Sequence, residues 1–136
     1  MQLARRAFLV IGLLVLGLGS SGCDKASTTT ITIRNQTGSA VTINAYITGG
    51  GKTYELNQKN LANGKAVTKK YCTRLPKGST YPLQGTVTVG GTTKPLPAGM
   101  NVMIGETNSF VLTSPAPGAI RATVYLNATV KVVLDF

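Results

Sequence analysis

The feature that most constrains the fold is a long alternation of apolar and polar residues toward the C-terminal end. From Ile120 to Phe136, every second position carries Ala, Val, Leu, Ile or Phe. A period of two places these side chains on one face of a β-strand and does not match a helical repeat. One strand of this length would extend about 55 Å at about 3.3 Å per residue, longer than ordinary strands. We therefore expect a bend, a bulge or a turn near Asn127.

Similar alternation recurs closer to the N-terminus. Residues 28–34 and 41–48 alternate on either side of a turn-rich gap, which predicts a hairpin. Gly90-Gly91 separates two short β-rich runs and suits a two-residue hairpin turn, because glycine readily adopts positive φ. In all we count eight to nine strands. Residues 57–70 are the only plausible helical segment, and Asn63-Gly64 interrupts it.

These patterns predict the fold class. Only 13% of the residues are charged, while threonine, valine and isoleucine are frequent, as is typical of strands. Antiparallel strands joined by short turns favour an all-β fold, a single antiparallel β-sandwich. We predict that this domain covers residues 31–136.

A series of turn and strand motifs lies in the second half of the chain. A strand at 85–89 is followed by a Pro-Leu-Pro turn at 94–99, a Phe-containing strand at 107–112 and Pro117-Gly118. This order resembles the carboxypeptidase regulatory-like, transthyretin-like β-sandwich modules over residues 85–134. The resemblance implies an Ig-like or transthyretin-like sandwich that serves as a spacer, a binding unit or a chaperone-like appendage.

The N-terminal residues have the three-part order of an export signal. Arg5 and Arg6 precede the apolar run Phe8–Leu18, and small residues follow up to Cys23. As a helix the run would extend about 16 Å, and a membrane span needs about 20 apolar residues. We therefore predict a cleaved signal peptide at residues 1–22 and an exported protein of the cell envelope.

Two fates are open for Cys23. Gly22-Cys23 resembles the end of the lipobox of bacterial lipoproteins, which implies a lipidated Cys23, a membrane-anchored tether at 23–30, and a domain facing the periplasm or the cell exterior. Ser20 and Gly22 also suit ordinary signal peptidase. An unlipidated Cys23 could instead form a disulfide with Cys72 in an oxidising compartment, closing a loop of about 50 residues.

The residue types argue against catalysis. The chain has no histidine, so neither a Ser-His-Asp nor a Cys-His arrangement can form within it. It also lacks the clusters of cysteine, histidine and carboxylate that hold metals such as zinc. We therefore predict a protein that is not an enzyme and that uses no metal and no cofactor.

Positive charge is the strongest indication of a partner. The chain carries a formal net charge of +10, and one segment holds many cations with Glu55 as its only acid. These residues are Lys52, Lys59, Lys65, Lys69, Lys70, Arg74 and Lys77. Such a cluster attracts polyanions, so we expect it to contact anionic lipid or cell-wall polymer, and we do not expect nucleic acid as a partner. The alternative function is a subunit of a surface assembly, an adhesin or filament component, that pairs with another protein through the C-terminal strand.

Overall fold

The structure, a computed structural model, describes residues 27–136, and this range contains eleven β-strands and no helix. The predicted signal peptide and Cys23 lie outside the described residues. The strands are β1 Ser27–Gln36, β2 Val41–Gly49, β3 Lys52–Leu61, β4 Ala66–Thr73, β5 Thr80–Pro82, β6 Gln84–Val89, β7 Thr92–Pro95, β8 Asn101–Met103, β9 Thr107–Thr113, β10 Arg121–Leu126 and β11 Thr129–Asp135.

Two main sheets pack face to face, which confirms the predicted all-β sandwich. One sheet has five strands in the order β11-β10-β9-β1-β4, and the other has four in the order β3-β2-β6-β7. A two-stranded sheet, β5-β8, completes the described part. All neighbouring strands are antiparallel except β1 and β9, which pair in parallel. The five-stranded sheet is therefore mixed.

Two sequence-based boundaries differ from the structure. The domain was expected to begin at residue 31, but β1 begins at Ser27, and Thr29 is fully buried with its hydroxyl accepting the Gly105 amide at 2.9 Å. The predicted tether at 23–30 therefore overlaps the first strand. The segment 57–70 is extended in β3 and β4, because the turn at Asn63-Gly64 divides it.

The predicted hairpin between the first two strands is wrong. β1 pairs with β4 and β9, whereas β2 pairs with β3 and β6 in the other sheet. The physical reason lies in Asn35, which is fully buried where the chain leaves β1. Its Nδ2 donates to the carbonyl oxygens of Ser39 at 2.6 Å and Leu61 at 2.8 Å. Its Oδ1 accepts the amide of Thr37 at 2.9 Å and the Thr37 hydroxyl at 2.7 Å. These bonds turn the chain from one sheet to the other.

Glycine pairs form two of the tight turns. Gly90 and Gly91, with φ of 57° and 80°, join β6 to β7 and confirm the predicted hairpin. Gly50 and Gly51, with φ of 59° and 77°, join β2 to β3. Positive φ at both central residues is the geometry of a type I′ turn, whose twist matches that of the flanking strands.

The C-terminal alternation is broken at two points. A turn at Asn127, where φ is 58°, separates β10 from β11 and confirms the predicted interruption. A bulge then shifts the register, so that Val132 lies opposite Val124 while Val130 lies opposite Tyr125. Because Val124 and Tyr125 are consecutive, their partners point to opposite faces. The side chain of Val130 therefore lies on the outer face of the sheet, although the alternation in the sequence predicts that it faces the core.

The core lies between the two main sheets. The apolar positions of β1, β2, β6, β9 and β10 alternate into it, and Phe110 of β9 is among the largest fully buried side chains. Close to the parallel pair, buried Asn108 accepts the Met103 amide at 2.8 Å and donates to the Met103 and Glu106 carbonyl oxygens. Asn108 thus holds the β8–β9 turn, whose Gly105 amide reaches Thr29 of β1.

Candidate functional site

The described residues carry a strong excess of positive charge. They include eleven Lys and Arg side chains and three acidic residues, Glu55, Glu106 and Asp135. Within this range one salt bridge forms, between Arg121 Nε and Asp135 Oδ1 at 2.7 Å. Its hydrogen bonds hold the pKa of the exposed Asp135 carboxyl below its ordinary value. Ten cations of the described range therefore have no ion-pair partner among its acidic residues.

Most of these cations follow one edge of the sandwich, where β3 and β4 are the outermost strands of the two sheets. The Tyr71 hydroxyl of β4 donates to the Glu55 carbonyl oxygen of β3, and the rings of Tyr54 and Tyr71 meet edge to face with centroids 5.8 Å apart. Burial, and secondarily the Glu55 charge, raise the pKa of Tyr71. These contacts hold the two edge strands together as one continuous surface.

The basic edge comprises six of the seven cations predicted as a polyanion site. Lys52 begins β3, Lys59 lies near its end, Lys65 is in the β3–β4 turn, Lys69 and Lys70 are in β4, and Arg74 follows β4. A ten-residue strand such as β3 extends about 30 Å. The cations are thus distributed along the length of the sandwich and do not surround a single point.

Because successive side chains of a strand point to opposite faces, the cations of the basic edge project in two directions. Lys69 lies opposite the buried Ile31, so it projects toward the core side at the gap between the sheets. Lys70 lies opposite Thr30 and projects from the outer face of the five-stranded sheet. The sequence suggested one basic face, whereas the structure places these cations around a narrow edge.

A groove of about 310 Å³ lies at one end of the basic edge. Lys52 and Arg74 contribute its cations, Tyr54 an aromatic ring, and Gly49 and Gly50 part of its backbone wall. The structure thus brings together two predicted site residues that are far apart in sequence. Tyr54, Tyr71 and Tyr81, which the sequence places in the same segment, are half-buried and pack against the core.

Lys77 lies apart from the basic edge. A Cβ atom added to Gly105 would lie 2.6 Å from Lys77 Cγ, so the aliphatic stem of Lys77 covers this glycine in the β8–β9 turn. The backbone nearby is fixed by the Gly78 amide, which donates to the Ile104 carbonyl oxygen at 2.9 Å. The sequence grouped Lys77 with the other six only through its nearness along the chain.

Arg34 lies next to the basic edge and was not predicted as part of the site. It lies on β1 opposite Ala66, and its Nη1 donates to the Gly64 carbonyl oxygen at 3.4 Å, in the turn that carries Lys65. Arg34 is distant in sequence from the 52–77 segment, and only the pairing of β1 with β4 brings it there. No local pattern in the sequence signals this contact.

Cys72 is disulfide-bonded. It lies on β4 opposite Thr28 of β1 and contributes to the wall of the groove beside Tyr54 and Arg74. The sequence contains one other cysteine, Cys23, which lies outside the described residues. A sulfur in a disulfide is neither a nucleophile nor a metal ligand, because both roles require the thiolate.

The chemistry available at this edge is electrostatic. In residues 27–136 no group of three or more histidine, cysteine or acidic side chains is placed to hold a metal ion. Glu55 accepts a hydrogen bond from Asn57 at 3.1 Å, while Glu106 accepts one from Asn127 at 3.2 Å in a separate part of the fold. The basic edge therefore offers ammonium and guanidinium groups for charge contacts.

The same described range contains no helix long and apolar enough to cross a membrane.

Comparisons of the chain with protein-family models, with curated proteins and with solved structures found no match.

Proposed function

We propose that this chain is an exported, non-catalytic binding module of the cell envelope that holds a linear polyanion along its basic edge. The observation that carries the proposal is the run of cations along β3 and β4, within which Glu55 is the only acid. Cations that point to both sides of a narrow edge suit a flexible polymer that can wrap around it. A flat bilayer could meet fewer of them at once, so a phosphate- or carboxylate-bearing cell-wall polymer is favoured over anionic lipid.

The expected strength follows from the charges. A cation close to an anionic surface contributes about 1 kcal/mol, and exposed charges are screened beyond about 10 Å at 0.1 M salt. Several contacts along the edge are therefore needed for useful affinity. Binding should weaken steeply as salt is raised, because each contact releases counterions from the polymer.

The test compares two variants with the same net charge. Lys69→Gln combined with Lys70→Gln removes two cations from the basic edge, and we expect affinity for long-chain polyphosphate to fall about 30-fold at about 1 kcal/mol per cation. The salt dependence should become shallower. Fluorescence anisotropy with labelled polyphosphate measures both quantities.

The matched control is Asn101→Asp combined with Gln84→Glu. Both residues are exposed and belong to β8 and β6, which pair with neither β3 nor β4. This control also lowers the net charge by two, and its affinity should change by less than about threefold, since exposed charges are screened over this distance. Equal weakening in the two variants would show that only net charge matters and would refute the basic edge as a site. Tighter binding to vesicles containing phosphatidylglycerol than to polyphosphate would assign the edge to a membrane.

The state of Cys23 decides how the module is held in the envelope. One sulfur cannot carry both a thioether-linked lipid and a disulfide. The disulfide at Cys72 supports an oxidising compartment, and it favours the pairing of Cys23 with Cys72 over the lipid anchor that the lipobox resemblance implies. The two states predict different masses for the mature protein.

Intact-mass measurement of the mature protein, with and without reductant, distinguishes these states. We expect a cleaved chain whose mass rises by two hydrogens on reduction and which carries no lipid. A diacyl or triacyl increment on Cys23 would instead establish the anchor and exclude its disulfide. Recovery of the chain from the cytosol with Met1 retained would contradict export.

A second function, subunit of a surface assembly, is favoured by a different observation. β11 is the outermost strand of the five-stranded sheet, and three of its valines are exposed.

A further inference from the structure

Tyr46 is the only exposed aromatic side chain in residues 27–136. It lies on β2, an interior strand of the four-stranded sheet, between the buried residues Ala45 and Ile47. Because successive side chains of a strand point to opposite faces, Tyr46 projects from the outer face of this sheet, away from the core. Its ring therefore offers an apolar surface, and its hydroxyl a polar group, to a ligand on that face.

The residues around Tyr46 are two amides, a carboxylate and a hydroxyl. Glu55 of β3 lies opposite Tyr46. Two residues earlier on the same face, Asn44 lies opposite Asn57 of β3 and Thr86 of β6. Residues directly opposite each other in a sheet have Cβ atoms about 5 Å apart. These five residues therefore form one continuous surface, the Tyr46 patch.

Several polar groups of the Tyr46 patch are free to bind a ligand. Asn57 Nδ2 donates to Glu55 Oε1 at 3.1 Å, which orients both side chains. The Asn44 amide, the Tyr46 hydroxyl and Glu55 Oε2 make no hydrogen bond within the described residues. Amide and hydroxyl groups both donate and accept hydrogen bonds. The patch thus matches a ligand whose own groups do both, as the hydroxyl and acetamido groups of sugars do.

The charge pattern favours a neutral ligand on this face. The interior strands β2 and β6 contain no charged residue, although the whole chain carries a formal net charge of +10. The only charge in the Tyr46 patch is the Glu55 carboxylate, which repels phosphate and carboxylate groups. A sugar hydroxyl can instead donate a hydrogen bond to this carboxylate, and hydrogen bonds to charged groups are the stronger ones.

The size of the Tyr46 patch favours a small ligand over a protein. Its two rows of residues span three strands, which is about 10 Å across the strands and about 7 Å along them. A stable protein–protein interface covers about 800 Å² on each partner, several times this area. A sugar ring has dimensions comparable to those of the patch. The C–H face of such a ring can stack on Tyr46 while its substituents reach Asn44 and Asn57.

We propose that the Tyr46 patch binds a neutral glycan chain, with one sugar ring stacked on Tyr46 and the neighbouring hydroxyl and acetamido groups hydrogen-bonded to Asn44 and Asn57. Tyrosine provides rigid amphipathic contact area and asparagine provides adaptable hydrogen bonds, a combination that antibody binding sites also use. The glycan site contains no lysine or arginine, so it is independent of polyanion binding at the basic edge.

Isothermal titration calorimetry of the mature protein with the N-acetylglucosamine hexamer tests the proposal. Affinity should change less than about twofold between about 0.05 M and about 0.5 M salt, because no ion pair forms. Tyr46→Ala should weaken binding about tenfold or more, and Asn44→Ala about fivefold. Tyr46→Phe keeps the ring and should weaken binding less than about threefold. The matched control, Tyr125→Ala, removes a half-buried tyrosine from the other main sheet and should leave the affinity unchanged.

Nuclear magnetic resonance locates the contact. The side-chain amide signals of Asn44 and Asn57 should shift when the hexamer is added. The proposal would be overturned by absence of binding at about millimolar hexamer, by equal weakening in Tyr46→Ala and Tyr125→Ala, or by shifts confined to the basic edge. Dimerisation that Tyr46→Ala abolishes would assign the face to a second copy and would also overturn it. Polyphosphate binding should be unchanged in Tyr46→Ala, which separates this outcome from that of the basic edge.

Discussion

Replacing Gly85 with alanine is expected to lower the free energy of unfolding by at least about 4 kcal/mol, which is exceptional for one substitution. Gly85 lies in β6 opposite Ala45 of β2, with φ of 125°. A Cβ atom there would lie 1.9 Å from the Asn44 carbonyl oxygen and 2.9 Å from Ala45 Cα. Both are backbone atoms, so no side-chain rotation relieves the overlap, and β2 would have to separate from β6.

Gly90→Ala is the matched control. Gly90 also has positive φ, at 57°, but a Cβ atom added there meets nothing within 4 Å. Gly90→Ala should lower the free energy of unfolding by only about 1–2 kcal/mol, which is the cost of placing a residue with a Cβ atom in the left-handed backbone conformation. Urea denaturation of both variants measures the difference, which isolates the contact with β2. Equal losses would show that backbone conformation, and not the close approach of two strands, requires the glycine at Gly85.

Asn35→Asp, a nearly isosteric change, is expected to destabilise the fold by about 3–5 kcal/mol at neutral pH. Asn35 is fully buried and donates to the Ser39 and Leu61 carbonyl oxygens. A carboxylate has no hydrogen to donate, so two carbonyl oxygens would face a buried negative charge. Thermal and urea denaturation would detect the loss.

The pH dependence identifies the cause. Burial should raise the folded-state pKa of the introduced carboxyl above its unfolded value, so the folded state binds more protons between the two values. The variant should therefore become more stable as pH falls through the folded-state pKa, since a protonated carboxyl can donate again. The exposed control Asn44→Asp should show a small, nearly pH-independent effect. A pH-independent loss in Asn35→Asp would refute this account.

Local chemistry was sufficient to predict some elements and not others. The Gly90-Gly91 turn and the break near Asn127 depend on residues that tolerate positive φ, and both were predicted correctly. The pairing of the first two strands was not, because alternation reveals a buried face but not the sheet to which it belongs. The predicted position of Val130 was wrong for a related reason. The bulge arises from the pairing of β11 with β10, and the alternation of apolar and polar residues along one strand carries no information about that pairing.

The candidate site was partly predictable for the same reason. Nearness along the chain grouped Lys69, Lys70 and Arg74, which do follow one edge of the sandwich. It also included Lys77, which covers Gly105, and it missed Arg34, which reaches the edge through long-range pairing of β1. Whether neighbouring cations share a direction depends on strand alternation, which separates Lys69 from Lys70.

The position of β1 between β4 and β9 affects when the chain can become structured. β1 is the first strand of the described residues, yet the parallel pairing of Thr30 cannot form until Thr107 is available. Pairings between such distant segments form slowly, because a long loop must close first. A polypeptide threaded N-terminus first through a translocation channel would therefore keep an incomplete sheet until most of its length had emerged. Late closure of this sheet would suit a protein that crosses a membrane unfolded and acquires its structure on the far side.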